Sequence, residues 1–208
     1  MSTKDARIES VTGKANTWIV GDDDEVIVID PGTDAAAVFD VVGDREILAV
    51  ICTHGHAGHS EAALEVAERD EAPVALHPAD RMAWREVHDT DPDIEMEDEG
   101  AFEVAGITLE VLHAPGHSRG SICLYSEDLD VVFTGDVISQ DGPVARADGY
   151  PNWGRQLDAI GSHVLTLPAH TRILPGHGEE FSVAMAEKQF NSWVSAGPDQ
   201  SFPGSAEQ

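Results

Sequence analysis

The stretch Thr53-His54-Gly55-His56-Ala57-Gly58-His59 follows directly on the apolar run Ile47-Leu48-Ala49-Val50-Ile51-Cys52 and sets three imidazoles within six residues. The apolar run reads as a buried strand, so the histidines stand where the strand stops. His54 and His56 are two apart and in extended backbone leave on one face, while the glycine-containing turn brings His59 round. Neutral imidazole is the commonest nitrogen ligand of zinc and related metals, and such a cluster can supply one ion or be split between two. The competing reading, solvated or capping histidines, suits a single residue better than a cluster behind a buried strand.

Upstream of that turn, short strands are predicted over Ile8–Val11, Thr17–Val20 and Glu25–Ile29, the last stopped by Asp30-Pro31-Gly32, and a short helix over Asp34–Val42. Downstream, Ser60 is placed to cap a helix reaching about Arg69, and Pro73–His77 reads as a strand followed by a helix through Met82, Trp84 and Val87 to about His88. Acid-rich Asp89–Gly100 reads as a solvated loop. A hairpin over Phe102–Val104 and Ile107–Leu112 runs into His113-Ala114-Pro115-Gly116-His117-Ser118. A further strand pair, Ser121–Tyr125 and Val131–Thr134, ends in Gly135-Asp136. Val137–Asn152 reads as an active-site loop and Trp153–Leu165 as a helix. The strand Arg172–Leu174 then ends in Pro175-Gly176-His177-Gly178, before a last helix over Glu179–Val194. Strand and helix blocks recur in both halves, which predicts an α+β fold of two mixed β-sheets packed face to face with helices outside. The expected organisation is one domain over residues 1–196 with a C-terminal tail at 197–208.

Composition narrows the function. A formal net charge of -27, from 39 Asp+Glu against 12 Lys+Arg, gives a surface that repels phosphate backbones, so nucleic acid is not an expected partner. The acid is spread along a chain that is 41% hydrophobic, which predicts a folded, heavily hydrated surface, read here as adaptation to high salt. An ordinary acidic enzyme is the alternative. Met1–Arg7 has no apolar core and no run reaches membrane-spanning length, so a cytoplasmic protein with a small-molecule substrate and no membrane partner is expected. Cys52 and Cys123 lie in apolar segments and read as buried free thiols.

Collected together, the strand-end residues are His54, His56, His59, His117, Asp136 and His177, five imidazoles and one carboxylate. His-x-His-x-x-His, Ala-Pro-Gly-His-Ser-x-Gly-Ser, Phe-Thr-Gly-Asp and Leu-Pro-Gly-His occur in this order between about Val11 and Val194. In these motifs the chain resembles the metallo-β-lactamase-fold hydrolases, and within them the glyoxalase II-like, or hydroxyacylglutathione hydrolase-like, branch. The resemblance implies an αββα four-layer sandwich. It also implies that His54, His56 and His117 bind a first metal, that His59 and His177 bind a second, and that Asp136 bridges. Asp30, in Ile-Asp-Pro-Gly, matches the family's first motif and would support the metal turn from behind; the alternative is an ordinary turn aspartate.

One position departs from that pattern: the family's usual aspartate before the third histidine is here Gly58. The second site keeps His59, His177 and Asp136, the three protein ligands typical of an open zinc site, and is expected to bind more weakly. One or two Zn2+ ions are expected, iron or manganese being the alternatives. The implied chemistry is a metal-bound hydroxide attacking a thioester or ester carbonyl, with Asp136 orienting the water. Arg119, Arg146, Tyr150 and Arg155 are the candidate substrate-binding residues, because a chain this poor in base would place its cations near an anionic substrate. Three rivals stand beside this reading: a mononuclear iron, persulfide dioxygenase-like enzyme on His54, His117 and Asp136; a lactonase or β-lactam hydrolase; and a degenerate member that binds metal without turnover.

Overall fold

The computed structural model describes residues 6–144 and 152–197. Its strands are β1 (Arg7–Thr12), β2 (Asn16–Gly21), β3 (Glu25–Ile29), β4 (Glu46–Ile51), β5 (Val74–Leu76) and β6 (Ile94–Glu95) in the first half. In the second half they are β7 (Ala101–Val104), β8 (Ile107–His113), β9 (Ile122–Ser126), β10 (Val131–Gly135), β11 (Arg172–Pro175) and β12 (Phe181–Ser182). They form two six-stranded sheets, ordered β1-β2-β3-β4-β5-β6 and β12-β11-β10-β9-β8-β7. Both are mixed: the first runs antiparallel from β1 to β3 and parallel from β3 to β6, and the second is antiparallel except between β10 and β11. The helices are α1 (Ala35–Val42), α2 (Ala57–Ser60), α3 (Ala63–Glu68), α4 (Arg81–Trp84), α5 (Trp153–Ala159) and α6 (Val183–Ala196).

The period-two alternation of the strands sorts their side chains into layers. In β3, Val26 and Val28 face α1 and α3, while Ile27 and Ile29 enter the space between the sheets. In β9 and β10, Ile122, Leu124, Val131 and Phe133 meet them there, whereas Cys123 and Val132 turn outward to Leu157 of α5 and Trp193 of α6. Three buried clusters result, one between the sheets and one under each helical layer, which is the expected αββα sandwich. Cys52 and Cys123 are buried free thiols, as read from sequence. No helix among the described residues is long and apolar enough to cross a membrane.

Four local expectations are corrected. Ser60 does not cap a helix; it ends α2, and its hydroxyl donates back to the His56 carbonyl oxygen at 3.1 Å. The chain turns helical at Ala57, so His59 sits on a helical turn, and α3 starts afresh at Ala63. The helix expected to reach His88 is a 3-10 turn over Pro78–Asp80 and the single turn of α4. The solvated loop at 89–100 contains β6, whose Ile94 pairs with Ala75 despite the surrounding acid. The last helix begins at Val183, where the Ser182 hydroxyl accepts from the Met185 amide, because Phe181 and Ser182 first pair with β11. Arg146, Tyr150 and the tail from 198 lie outside the described residues.

Candidate metal centre

The ends of β4, β8, β10 and β11 meet at one edge of the sandwich and bring the six sequence-predicted residues together. His54, His56 and His117 form one group of potential ligand atoms and His59, Asp136 and His177 another, the atoms of each lying within 4.8 Å of one another. His56 Nδ1 is 3.1 Å from His117 Nε2, and His59 Nε2 is 3.3 Å from His177 Nε2. Asp136 stands between the groups: its Oδ2 is 3.9 Å from His54 Nε2, 3.5 Å from His117 Nε2 and 3.4 Å from His59 Nε2, and its Oδ1 is 3.4 Å from His177 Nε2. Metal–nitrogen bonds of about 2.0–2.1 Å at tetrahedral angles place ligand atoms roughly 3.3 Å apart, so the spacing suits shared ions.

In His54, His59 and His117 the other ring nitrogen is tied outward, which orients the ring. Thr53 has one hydroxyl proton and gives it to Asp30 Oδ2 at 2.7 Å, so its Oγ1 accepts from His54 Nδ1 at 3.1 Å. His59 Nδ1 donates to Asp30 Oδ2 at 3.0 Å, and His117 Nδ1 donates to the Val144 carbonyl oxygen at 2.9 Å. In His54 and His117 the Nε2 lone pair is thereby left facing inward. His54 Nε2 and both carboxylate oxygens of Asp136 are buried without a hydrogen-bond partner. Buried polar atoms of this kind are rare in folded proteins unless an ion or water meets them. This donor set fits a divalent metal.

Asp30 sits behind the histidines, with its backbone at φ 50, uncommon for a residue with a side chain. Besides the two contacts above, its Oδ1 accepts from the Thr53 amide at 2.7 Å. Two further residues carried no sequence signal. Gln156 of α5 is fully buried, and its Nε2 donates to the Val137 and Val144 carbonyl oxygens at 2.9 and 3.1 Å, sharing Val144 with His117. Asp80 is buried beside the His54–His56 turn. Of the substrate-binding candidates, Arg119 is exposed on the turn after His117, where its carbonyl oxygen accepts from His113 Nε2, and Arg155 is exposed on α5. A cavity of about 620 Å³ opens beside His177, lined by Lys14, Trp18, Gly178, Glu179 and Glu180 among others, and neither arginine lines it. A Cβ at Gly58 would meet nothing within 4 Å.

In the metal-free protein, charge is held by a proton. Burial and the neighbouring His59 and His117 push His54 well below the ordinary imidazole value. Burial also opposes charge on His59, but the Asp136 and Asp30 carboxylates outweigh it and raise this imidazole from 6.5 to about 10. Burial likewise opposes ionisation of Asp136, which His59 and His177 nevertheless hold well below the carboxylate range. A raised imidazole stabilises the fold fully below its unfolded value of 6.5, and the contribution disappears as pH rises through about 10. Chelator-treated wild type should therefore exceed His59→Gln in urea midpoint at pH 6, with the gap closing toward pH 10. A gap that does not change with pH would contradict these electrostatics.

The metallo-beta-lactamase superfamily model matches residues 11–177. The chain is 32% identical over 192 residues to the probable metallo-hydrolase YqgX of Bacillus subtilis, covering 85% of this chain and 90% of YqgX. It is 28% identical over 200 residues to the hydroxyacylglutathione hydrolase GloC of Haemophilus influenzae, covering 87% and 93%. Among solved structures it resembles the BLEG-1 B3 metallo-beta-lactamase (TM-score 0.81, 25% identity, 90% of this chain and 100% of that one). It also resembles TTHA1623 in a di-iron-bound form (TM-score 0.72, 25% identity, 88% and 97%). With the fold, the strand-end donor set and the matched motifs in agreement, this chain belongs to the metallo-beta-lactamase superfamily.

Proposed function

We propose that the protein is a metal-dependent hydrolase of thioesters or esters, with one ion on His54, His56 and His117 and a second on His59, Asp136 and His177. The observation that carries this reading is the set of inward-facing, unpartnered donor atoms, His54 Nε2 and both oxygens of Asp136, backed by outward bonds from the Nδ1 atoms. Similarity to GloC supports a thioester substrate, and similarity to YqgX supports hydrolysis in general. Zinc is the first candidate metal, and TTHA1623 in its di-iron form makes iron the next.

Bound there, a divalent metal would supply a water acidified to near neutrality and a Lewis acid for the substrate carbonyl. The protein's own part is positional. Asp136, central among the histidines, is placed to orient the attacking water. A thioester suits such a site because its thiolate leaves without a strong general acid. The cavity beside His177 gives the acyl or thiol arm a place to lie, with Lys14 as a cation for an anionic end.

The reading is tested by metal analysis of the purified protein and by turnover of thioester, ester, lactone and persulfide substrates after adding back zinc, iron or manganese. Hydrolysis of a thioester or ester that is lost on chelation and restored by metal is expected. A single iron with oxygen uptake on persulfide would overturn the hydrolase in favour of a dioxygenase, and absence of bound metal would overturn both. Because the space at position 58 is open, Gly58→Asp should raise second-site occupancy at limiting metal by about tenfold or more. Unchanged occupancy would refute the assignment of Gly58 as the weakened ligand position.

A further inference from the structure

Asp80 is a buried carboxylate outside the donor set, and among the described residues its side-chain hydrogen bonds run to the two loops that carry the first ligand group. Its Oδ2 accepts from the Gly55 amide at 3.0 Å, between His54 and His56, and from the Ser118 hydroxyl at 2.6 Å, next to His117. Its Oδ1 accepts from the Gly120 amide at 2.6 Å. The Ser118 proton is thus committed to Asp80, so at 2.6 Å Ser121 donates its own hydroxyl proton to Ser118 Oγ. Ser121 Oγ in turn accepts from the Ser118 amide at 3.0 Å, and each polar group of the cluster has a partner.

The backbone is shaped around this carboxylate. A Cβ at Gly120 would stand 2.8 Å from Asp80 Cγ, and one at Gly55 would stand 2.8 Å from the Asp80 carbonyl oxygen. Both loops therefore reach Asp80 only because they have glycine there. The element that presents it is the Pro78–Asp80 turn, whose start is fixed by the Ala79 amide donating to His77 Nδ1 at 3.2 Å. Asp30 holds His54 through Thr53 and holds His59 directly.

We propose that Asp80 is a positioning residue for the first metal site, setting the separation of the His54–His56 turn from the His117 turn and so the geometry in which the three imidazoles meet one ion. The role rests on the two-group ligand reading above. It divides the work between two buried carboxylates: Asp30 aligns His54 and His59, and Asp80 brings His56 and His117 to them. Its effect should accordingly fall on one site and spare the other, which a general loss of stability would not do.

Cobalt(II) titration followed by its visible bands tests this in two backgrounds, His177→Ala to leave the first group intact and His56→Ala to leave the second. Asp80→Asn keeps the shape but points an amide N–H at amide donors. It should weaken cobalt binding about tenfold to 100-fold in the His177→Ala background and less than about threefold in the other. Ser118→Ala, which removes one contact and no charge, should weaken the first site by a smaller factor, and it carries the test if Asp80→Asn does not fold. Equal losses at both sites, or no loss at the first, would overturn the role of Asp80. Parent variants that bind no cobalt would overturn the ligand reading itself, and the proposal with it.

Discussion

The carboxylate of Asp30 is the constraint on which the site depends. It ends β3 in a left-handed backbone conformation, takes the Thr53 amide and hydroxyl at the end of neighbouring β4, and takes His59 Nδ1 from the helical turn beyond. Three segments are thereby locked to one group, and two imidazoles are turned so that Nε2 faces inward. Such a carboxylate is buried and charged, and removing one of its partners would leave an acceptor without a donor at a penalty of about 1–3 kcal/mol or more. The left-handed backbone is tolerated because the Asp30 amide and carbonyl are held as well, donating to the Ile51 carbonyl oxygen at 2.9 Å and accepting from Thr17 at 2.7 Å.

Much of this was legible in the sequence, for identifiable reasons. The central strands announce themselves because they are buried on both faces and read as continuous apolar runs, as in Val26–Ile29 and Val131–Phe133. The histidines and Asp136 stand out because each follows such a run and lies beside glycine. Asp80 gave no such signal: its partners are backbone amides and a serine 25 to 40 residues away, and hydrogen bonds to amides leave no trace in residue identity. Gln156 was hidden in the same way, since it serves carbonyl oxygens of a loop with no periodicity. The strand β6 was masked because its pairing with β5 is two residues long and set in acid, where tertiary contact overrides local propensity.

Most of the described arginines are committed to carboxylates, while Arg119 and Arg155 do not line the cavity beside His177. Arg7, Arg81, Arg85 and Arg172 pair with surface carboxylates such as Asp23, Asp91, Glu95 and Glu180 and so relieve acidic self-repulsion, while buried Arg45 pairs with Glu9. Exposed pairs of this sort contribute little individually, about 0–1 kcal/mol. Among the described residues, Lys14 is the lysine on the wall of the cavity beside His177. An anionic substrate would then be drawn to the site mainly by the metal charge, with the acidic exterior opposing its approach, and salt would help by screening that repulsion.

The central claim is that inward-facing donors, preset by Asp30, Thr53 and Val144, form a two-part metal centre. Anomalous diffraction from metal-loaded crystals tests it most directly. One peak is expected bonded to His54 Nε2, His56 Nδ1 and His117 Nε2, and a second, weaker peak bonded to His59 Nε2, His177 Nε2 and Asp136. An ion bound through His54 Nδ1 or His117 Nδ1, or peaks away from these six residues, would contradict it.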